Sequence, residues 1–223
     1  MAPGDDPAGS GPAEFTPIAG PLLRGAAGFG ISLSAAQLAA FATYIDAILF
    51  WGARSSLTGA TSAAVLIDEH IVDSLAPAPL VQNGMRVADL GSGAGFPGIP
   101  LAIVRPQAAV FLVESRRKRA SFLHEAVRRC GLANVEVIEG RAESLPAGTV
   151  FDLVVARAVW SVSEFLSVAG PRLAAGARAV AMKGPKGPAE ITPTAQFSAA
   201  EVIPYRLRDR IERLLLVFRK LAH

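Results

Sequence analysis

A glycine-rich turn near the middle of the chain combines residue types that can hold a nucleotide-like ligand. An apolar run ends at Asp89, and Gly91, Gly93 and Gly95 follow at alternate positions. Glycine allows a sharp turn and lets a ligand approach the backbone closely. A helix beginning near Gly98 would add free backbone amides and the positive end of its dipole. We therefore predict a ligand site at the end of this run.

The register of the glycines decides which ligand they suit. Counted from Gly93, they match the G-x-G-x-x-G pattern of dinucleotide sites. Counted from Asp89, they match Asp-x-Gly-x-Gly-x-Gly, which is typical of the S-adenosylmethionine loop of methyltransferases. Because the strand ends at Asp89 or Leu90, the turn begins at Gly91, and this register favours S-adenosylmethionine. Asp89 would then face the cationic amino-acid part of that cofactor.

A second acid, Glu114, ends the next apolar segment, 23 residues after Gly91. A carboxylate at this position can accept hydrogen bonds from both ribose hydroxyls of an adenosine. Dinucleotide sites and S-adenosylmethionine sites share this feature. Glu114 therefore indicates an adenosine without distinguishing the two, and a solvated acid at a strand end is the alternative.

Alternating strand and helix patterns must position these groups. Strands are predicted at about 85–90, 109–114, 135–139, 153–156 and 178–182, with a closing antiparallel pair at 202–205 and 214–219. The predicted helices between them cover about 98–104, 116–130 and 162–173. This alternation predicts an α/β fold, a Rossmann-like and mostly parallel seven-stranded sheet flanked by helices.

The first 80 residues follow a different pattern. Residues 1–30 are rich in Pro, Gly and Ala and hold few large apolar groups, so we predict a mostly disordered tail. Residues 31–80 are predicted to form a helical extension, with helices over about 34–53 and 61–75. The cofactor-binding domain then covers residues 81–223.

Charge is distributed unevenly along the chain, whose net charge is +3. Residues 1–100 hold three Lys and Arg against eight Asp and Glu, whereas residues 101–223 hold nineteen against eleven. A basic half beside an acidic half indicates a polyanionic partner that meets one face. A general abundance of arginine is the alternative interpretation.

Composition also limits where the protein works. The single cysteine, Cys130, excludes an internal disulfide and fits a reducing compartment. The longest apolar stretch, residues 35–51, carries Gln37, Thr43 and Asp46, so we predict no membrane span. The N-terminus lacks the pattern of a secretory signal. We therefore expect a cytoplasmic protein.

The densest basic run opens a predicted helix, where positive charge opposes the helix dipole. It comprises Arg116, Arg117, Lys118 and Arg119. The cost of about 0.3–1 kcal/mol per exposed charge is easier to understand if RNA phosphates meet the run. A solvated helix face is the alternative. A second basic candidate follows near the C-terminus and comprises Arg206, Arg208, Arg210 and Arg213.

The segment 89–101 resembles the RsmG (GidB) family of bacterial small-subunit rRNA guanine-N7 methyltransferases. Its specific part is the Gly-Phe-Pro-Gly-Ile-Pro extension of residues 95–100. Further segments are similar in the same order: Leu57-Thr58, His70-Ile71-Val72-Asp73-Ser74, Lys118-Arg119-x-x-Phe122-Leu123, Arg141-Ala142-Glu143, Ala156-Arg157-Ala158 and Met182-Lys183-Gly184.

The resemblance implies a class I methyltransferase that uses S-adenosyl-L-methionine and modifies a guanine of 16S rRNA in the small ribosomal subunit, at position 527. It implies cofactor contacts at Gly91, Phe96, Ala142, Glu143 and Arg157. We expect a monomer that requires neither a metal ion nor a membrane.

Guanine N7 carries a lone pair and no proton, so it can attack a sulfonium methyl group without a general base. Positioning then supplies the rate. Arg157 and Lys183 follow predicted strands and are the candidates for positioning the substrate, and Lys183 is also predicted to contact a phosphate of an RNA substrate. A structural ion pair is the alternative for Arg157. We interpret His70 and Asp73 as a structural hydrogen-bonded pair, with a role in lining the pocket as the alternative.

Three other functions remain open at the level of sequence. A methyltransferase acting on a small molecule or a protein would use the same cofactor loop. A nucleotide-binding domain without methyltransferase activity would use the Gly93 register. An RNA-binding module without catalysis would need only the basic half. Three histidines and one cysteine form no metal-binding pattern.

Overall fold

A computed structural model of the chain describes residues 16–52, 62–157, 160–207 and 211–222. Within these residues seven strands form one sheet: β1 (Arg86–Leu90), β2 (Ala109–Glu114), β3 (Val135–Glu139), β4 (Phe151–Arg157), β5 (Leu173–Lys183), β6 (Glu201–Leu207) and β7 (Ile211–Arg219). The strand order is β3-β2-β1-β4-β5-β7-β6. β1 to β5 are parallel, and β7 pairs antiparallel with both β5 and β6. The predicted fold is confirmed.

Helices cover both faces of the parallel part. They are α1 (Thr16–Ala27), α2 (Ala35–Gly52), α3 (Ala63–Leu66), α4 (Val72–Ser74), α5 (Gly98–Val104), α6 (Arg117–Cys130) and α7 (Val162–Ala169). β1 is buried on both faces, because Val87 and Ala88 point in opposite directions and both have no exposed surface. α6 ends at Cys130, and Gly131 follows with a φ of 64°, which forms a left-handed cap.

The boundaries of α7 and β5 differ from the prediction, which continued the helix to residue 173. α7 ends at Ala169, and Pro171 lies in the single 3-10 turn that follows. Proline lacks the amide that another helical turn would need. β5 begins at Leu173 despite the small residues that follow, because Leu173 pairs with Phe151 of β4; from Arg178 on, the strand also pairs with β7. Tertiary pairing outweighs the weak local preference of that segment.

The prediction of a disordered tail over residues 1–30 is wrong for the second half of that segment, because α1 occupies residues 16–27. Leu22 and Ala26 on this helix have no exposed surface. Gly25 lies so close to Val72 that an added Cβ would be 2.4 Å from Cγ2 of that valine. Small residues let this helix pack closely against its neighbours. A prediction based on the number of large apolar groups therefore missed it. Residues 1–15 lie outside the described chain.

The predicted position of α2 is confirmed, and the helix belongs to the core. Ser34 and Gln37 cap it reciprocally, with each backbone amide donating to the other side chain, at 2.9 and 3.2 Å. The helix is long and apolar enough to cross a membrane, with a mean hydropathy of 1.3. Its residues Phe41, Tyr44 and Ile48 are nevertheless fully buried against the rest of the protein.

The second predicted helix is present but is not a regular α-helix. Ser62 caps it by accepting from the amide of Val65 at 3.4 Å. Between α3 and α4 the chain forms a π-helical turn, Ile67–Ile71. Such turns are rare and frequently occur at functional sites. This one carries His70 and leads directly to Asp73 on α4.

Candidate active site

The glycine loop after β1 adopts backbone conformations that favour glycine. Gly91, Gly93 and Gly95 have φ angles of 73°, 60° and 95°. The amide of Gly91 donates to the carbonyl oxygen of Val113 at 2.8 Å, which joins the loop to the end of β2. A Cβ on Gly95 would lie 2.6 Å from Cδ1 of Ile99. The loop therefore requires glycine both for its turn and for its packing.

Asp89 lies beneath this loop with no exposed surface. Its Oδ2 accepts from the amide of Gly98, the first residue of α5, at 2.9 Å. Among the described residues Oδ1 has no hydrogen-bond partner. Burial raises the pKa of this carboxyl from 3.8 to about 7, opposed by the hydrogen bond from Gly98. In this structure the enclosed carboxylate supports the loop from below, and its predicted contact with the cofactor remains a prediction.

Glu114 connects the glycine loop to the start of α6. Its Oε2 accepts from the amide of Gly93 at 2.9 Å, and its Oε1 accepts from the amide of Arg116 at 2.8 Å. The side chain is 4% exposed. Each carboxylate oxygen can accept a second hydrogen bond. Glu114 therefore shapes two turns and still has acceptor capacity toward a ligand.

A cavity of about 270 Å³ opens between the carboxyl ends of β1, β2 and β3. It brings together four of the nine residues that the sequence assigned to the cofactor: Gly91, Glu114, Ala142 and Glu143. The rest of its lining comprises Val113, Ser115, Arg116, Arg119, Gly140, Arg141 and Trp160. The other assigned residues, Asp89, Gly93, Gly95, Phe96 and Arg157, lie outside this lining. We call it the loop cavity. Trp160 was not predicted, although an aromatic residue soon after the end of β4 is a signal that could have identified it.

A second cavity, of about 530 Å³, lies on the side of β4 and β5. We call it the arginine cavity because Arg157 and Arg213 line it. Its lining comprises Glu69, His70, Asp73, Arg157, Met182, Lys183, Gly184, Tyr205, Leu207 and Arg213. Both residues predicted to position the substrate, Arg157 and Lys183, are in this set.

Three side chains hold the Arg157 guanidinium. Nη1 lies 3.2 Å from Oδ2 of Asp73, and Nη2 lies 3.2 Å from Nδ1 of His70. The guanidinium carbon lies 4.8 Å from the centre of the Phe96 ring, in cation–π contact. Because most of this arginine is buried, these contacts define its orientation. Arg157 was predicted as both a cofactor contact and a substrate contact; the structure places it in the arginine cavity.

His70 and Asp73 meet through Arg157. Arginine can only donate, so Nδ1 of His70 must be the unprotonated acceptor. Burial, and then the charge of Arg157, lowers the pKa of His70 from its ordinary value. A neutral imidazole is consistent with its stacking on Phe96, at 5.3 Å between ring centres. Both residues line the arginine cavity and are linked through Arg157, so the structure favours the alternative interpretation, a role in lining the pocket, over a structural hydrogen-bonded pair.

Tyr205 completes this network and was missed in the sequence. Its hydroxyl donates to Oδ1 of Asp73 at 2.7 Å, across a separation of 132 positions. Burial, together with the charge of Asp73, raises the pKa of Tyr205 above its ordinary value, so the phenol remains a donor. No local pattern could have paired a residue of β6 with a residue of α4.

Phe96 follows Gly95 in the glycine loop, contacts Arg157 and His70 of the arginine cavity, and is 5% exposed. Its ring contacts Tyr44 edge-on at 5.6 Å, and the hydroxyl of Tyr44 donates to the carbonyl oxygen of Ala94 at 2.6 Å. Phe96 thus supports Arg157 on one side and the glycine loop on the other. Its direct contact with the cofactor remains a prediction.

Lys183 lines the arginine cavity but already has partners. Its Nζ lies 2.7 Å from Oε2 of Glu190 and donates to the carbonyl oxygen of Trp160 at 2.6 Å. These contacts fix the segment after β4 against the segment after β5. The predicted contact of Lys183 with substrate phosphate would have to compete with Glu190.

The basic run divides into two parts. Arg116 and Arg119 line the loop cavity, whereas Arg117 and Lys118 are exposed and lie outside that lining. No salt bridge joins any of the four to another residue of the described ranges. The outer pair is therefore available to a polyanion. In the second basic candidate, Arg208 and Arg210 lie outside the described residues.

The strand order, the glycine loop after β1 and the buried acid at the end of β2 define a class I methyltransferase. Solved structures of methyltransferases share this fold. TrmN from Thermus thermophilus superposes with a TM-score of 0.53 at 22% identity over 68% of this chain, which spans 49% of that protein. TYW2 of M. jannaschii, solved in complex with AdoMet, superposes with a TM-score of 0.54 at 19% identity over 68% of this chain and 74% of that one.

Sequence comparison identifies the particular family. The family model described as rRNA small subunit methyltransferase G matches residues 37–208. A protein of that name from Xanthomonas euvesicatoria is 39% identical over 191 residues, covering 85% of this chain and 90% of the relative. Another from Azoarcus sp. is 38% identical over 170 residues, covering 76% and 80%. The chain belongs to the rRNA small subunit methyltransferase G family, and the predicted resemblance is confirmed.

Proposed function

We propose that this protein transfers a methyl group from S-adenosylmethionine to N7 of a guanine in 16S rRNA of the small ribosomal subunit, at position 527. The observation that carries the proposal is the position of Arg157, which lies on Phe96 at 4.8 Å. Phe96 belongs to the glycine loop, and Arg157 lines the neighbouring cavity. A cofactor at the loop and a base in the arginine cavity would therefore meet at this pair.

The loop cavity fits S-adenosylmethionine in its donor and acceptor groups. Gly91 would let the cofactor approach the backbone, and Glu114 would accept from ribose hydroxyls with its remaining lone pairs. Ala142 and Glu143 line the part of the cavity that follows β3, where an adenine would lie. The bound cofactor supplies an electrophilic methyl group on a sulfonium.

The N–H groups of Arg157 can donate to the acceptor O6 of a guanine. They cannot bind the amino group that an adenine carries at the same position, because that group is also a donor. Such a contact leaves N7 free to attack. Asp73 balances the charge of Arg157, so the cavity tolerates the positive charge that N7 methylation creates. The reaction needs neither a base nor a Lewis acid at N7. We therefore propose that the enzyme requires no metal ion.

The exposed pair Arg117 and Lys118 would contact phosphates of the ribosomal RNA, which makes binding strongly dependent on salt. We also propose that the active unit is a monomer. A ribosomal RNA substrate supports a cytoplasmic enzyme.

The test is transfer of a labelled methyl group from S-adenosylmethionine to purified small ribosomal subunits, followed by mapping of the modified nucleotide. We expect one methyl group at N7 of guanine 527. Label on another base or on a ribosomal protein would contradict the assigned substrate. If no methyl group is transferred but S-adenosylhomocysteine binds normally, the protein binds the cofactor and methylates a different acceptor.

A further inference from the structure

A cavity of about 950 Å³ lies beside the arginine cavity, with which it shares Tyr205. α1 forms one wall, the segment from the π-helical turn to residue 80 forms another, and β6 forms a third. We call it the α1 groove. Its lining comprises Pro21, Arg24, Gly25, Gly28, Phe29, Asp68, Val72, Ala76, Pro79, Leu80, Ile203, Pro204, Tyr205, Arg206 and Leu215.

The lining of the α1 groove combines cations with flat apolar groups. Arg24 and Arg206 are exposed arginines, and Asp68 is the single acid of the lining. Arg206 has an ion pair with Glu212 at 4.0 Å, but both side chains are well exposed, so the pair is weak. Phe29 and Tyr205 supply aromatic rings, 5.8 Å apart and steeply inclined to each other. Cations beside aromatic rings are the usual composition of grooves that bind single-stranded nucleic acid.

Tyr205 connects this groove to the active site, because it lines both the α1 groove and the arginine cavity. Its hydroxyl is bound to Asp73, which holds Arg157. A strand whose guanine enters the arginine cavity would therefore continue past Tyr205 into the α1 groove. RNA recognition of this kind favours unpaired nucleotides, whose bases can leave the stack and lie against side chains.

We propose that the α1 groove binds the unpaired RNA nucleotides that adjoin the target guanine, with Arg24 and Arg206 on their phosphates and Phe29 against a base. The proposal rests on the proposed function and adds a substrate-binding surface to it. α1 lies outside residues 37–208, the segment matched by the family model, so the family assignment does not account for this wall.

The test removes the two cations without touching the active site. The double variant Arg24→Gln with Arg206→Gln is compared with the matched double variant Arg178→Gln with Arg219→Gln. Arg178 and Arg219 face each other across β5 and β7, at the sheet edge opposite the active site. Both doubles lower the net charge by the same amount. Binding to protein-free 16S rRNA and to small subunits is measured by filter retention across a salt series.

We expect the groove variant to bind RNA on the order of tenfold more weakly near 0.15 M salt, and to lower the salt slope by about 1.4, since each phosphate neutralised on a single strand contributes about 0.7. KM for the subunit should rise, while kcat and the KM for S-adenosylmethionine remain unchanged. The control double variant should retain the wild-type slope. A groove variant with the same slope and affinity as the control would overturn the proposal.

A further variant tests the aromatic wall. Phe29→Leu keeps an apolar side chain but removes the ring, so we expect weaker RNA binding with an unchanged salt slope. If the charge variant weakens binding to subunits but not to protein-free rRNA, the groove binds a ribosomal protein and the RNA proposal is wrong. Failure of the wild-type enzyme to bind or methylate small subunits would instead overturn the proposed function, which separates the two failures.

Discussion

The guanidinium of Arg157 lies over the ring of Phe96, at 4.8 Å from its centre. The two residues come from different parts of the sheet: Phe96 from the loop after β1, and Arg157 from the end of β4. Their contact joins the glycine loop to the arginine cavity. Under the proposed function, the position of the reacting base relative to the cofactor would depend on one planar cation and the ring that supports it.

Arg157→Lys should lower kcat by about 10- to 100-fold, because lysine retains the charge but cannot contact Asp73, His70 and the Phe96 face together. Affinity for S-adenosylhomocysteine should change little. The measurement is single-turnover methyl transfer to small subunits, with Arg105→Lys as the control. Arg105 is a partly buried arginine that donates to the carbonyl oxygen of Ala78 and lines neither cavity. Equal methyl-transfer rates in the two variants would show that Arg157 has no role in the reaction.

Gly91→Asp should abolish cofactor binding and leave the fold largely intact. The residue has a φ of 73°, lines the loop cavity and would carry a carboxylate toward the ligand. Gly84→Asp is the matched control, because Gly84 has a φ of 79° at the opposite end of β1 with nothing within 4 Å of an added Cβ. Calorimetry with S-adenosylhomocysteine should detect binding only in the control. Retained affinity in Gly91→Asp would show that the cofactor lies elsewhere.

Arg117→Glu combined with Lys118→Glu should weaken RNA binding and leave cofactor affinity unchanged. These side chains are exposed and lie outside the lining of the loop cavity, whereas Arg116 and Arg119 line it. Changing Arg116 would therefore disturb both functions. The salt slope of filter binding to 16S rRNA should also fall by about 1 for each phosphate that the variant no longer neutralises. A loss of cofactor affinity in the double variant would contradict this division of the run.

Asp89→Asn should change how stability depends on pH. In the folded protein the carboxyl keeps its proton up to about pH 7, whereas in the unfolded chain it ionises near 3.8. Its contribution to stability is therefore complete below pH 3.8 and is lost as the pH rises through about 7. The interval corresponds to roughly 4 kcal/mol at about 1.4 kcal/mol per pH unit.

Asparagine does not titrate, and its side-chain oxygen can still accept from Gly98. The free energy of unfolding in urea, measured from about pH 4 to about pH 8, should therefore fall less in the variant than in the wild type. The other titrating groups are common to both proteins, so the difference between the curves isolates Asp89. Parallel curves would show that Asp89 is ionised in the folded protein throughout this range.

The local sequence pattern was sufficient to predict the strands and helices that form the candidate cofactor site. The predicted bounds of β2, β3 and α5 agree with the structure residue by residue. Apolar alternation determines such elements, and the carboxyl ends of parallel strands must meet at one edge. For this reason Gly91 and Glu114 could be assigned to one cavity from the local pattern, whereas Ala142 was assigned from the family resemblance.

Contacts between distant segments could not be predicted in the same way. Tyr205 and Asp73 are 132 positions apart, and neither has a neighbour in sequence that indicates the other. The burial of a charged residue could not be predicted either. Asp89 lies near the end of its strand, where an acid is usually exposed, yet it is fully enclosed because Gly98 and α5 cover it. α1 was missed because it packs through Gly25 and Ala26, which contribute little apolar area to the composition of the segment.

The packing of α1 also sets a practical limit on how far the protein can be shortened. A version trimmed to the segment matched by the family, residues 37–208, would lose Leu22 and Ala26 and leave Val72 and its neighbours facing water. Newly exposed apolar surface of this kind promotes aggregation. The trimmed polypeptide would also end before β7, the strand that joins β6 to the rest of the sheet. The segment that identifies the family is thus shorter than the unit that folds.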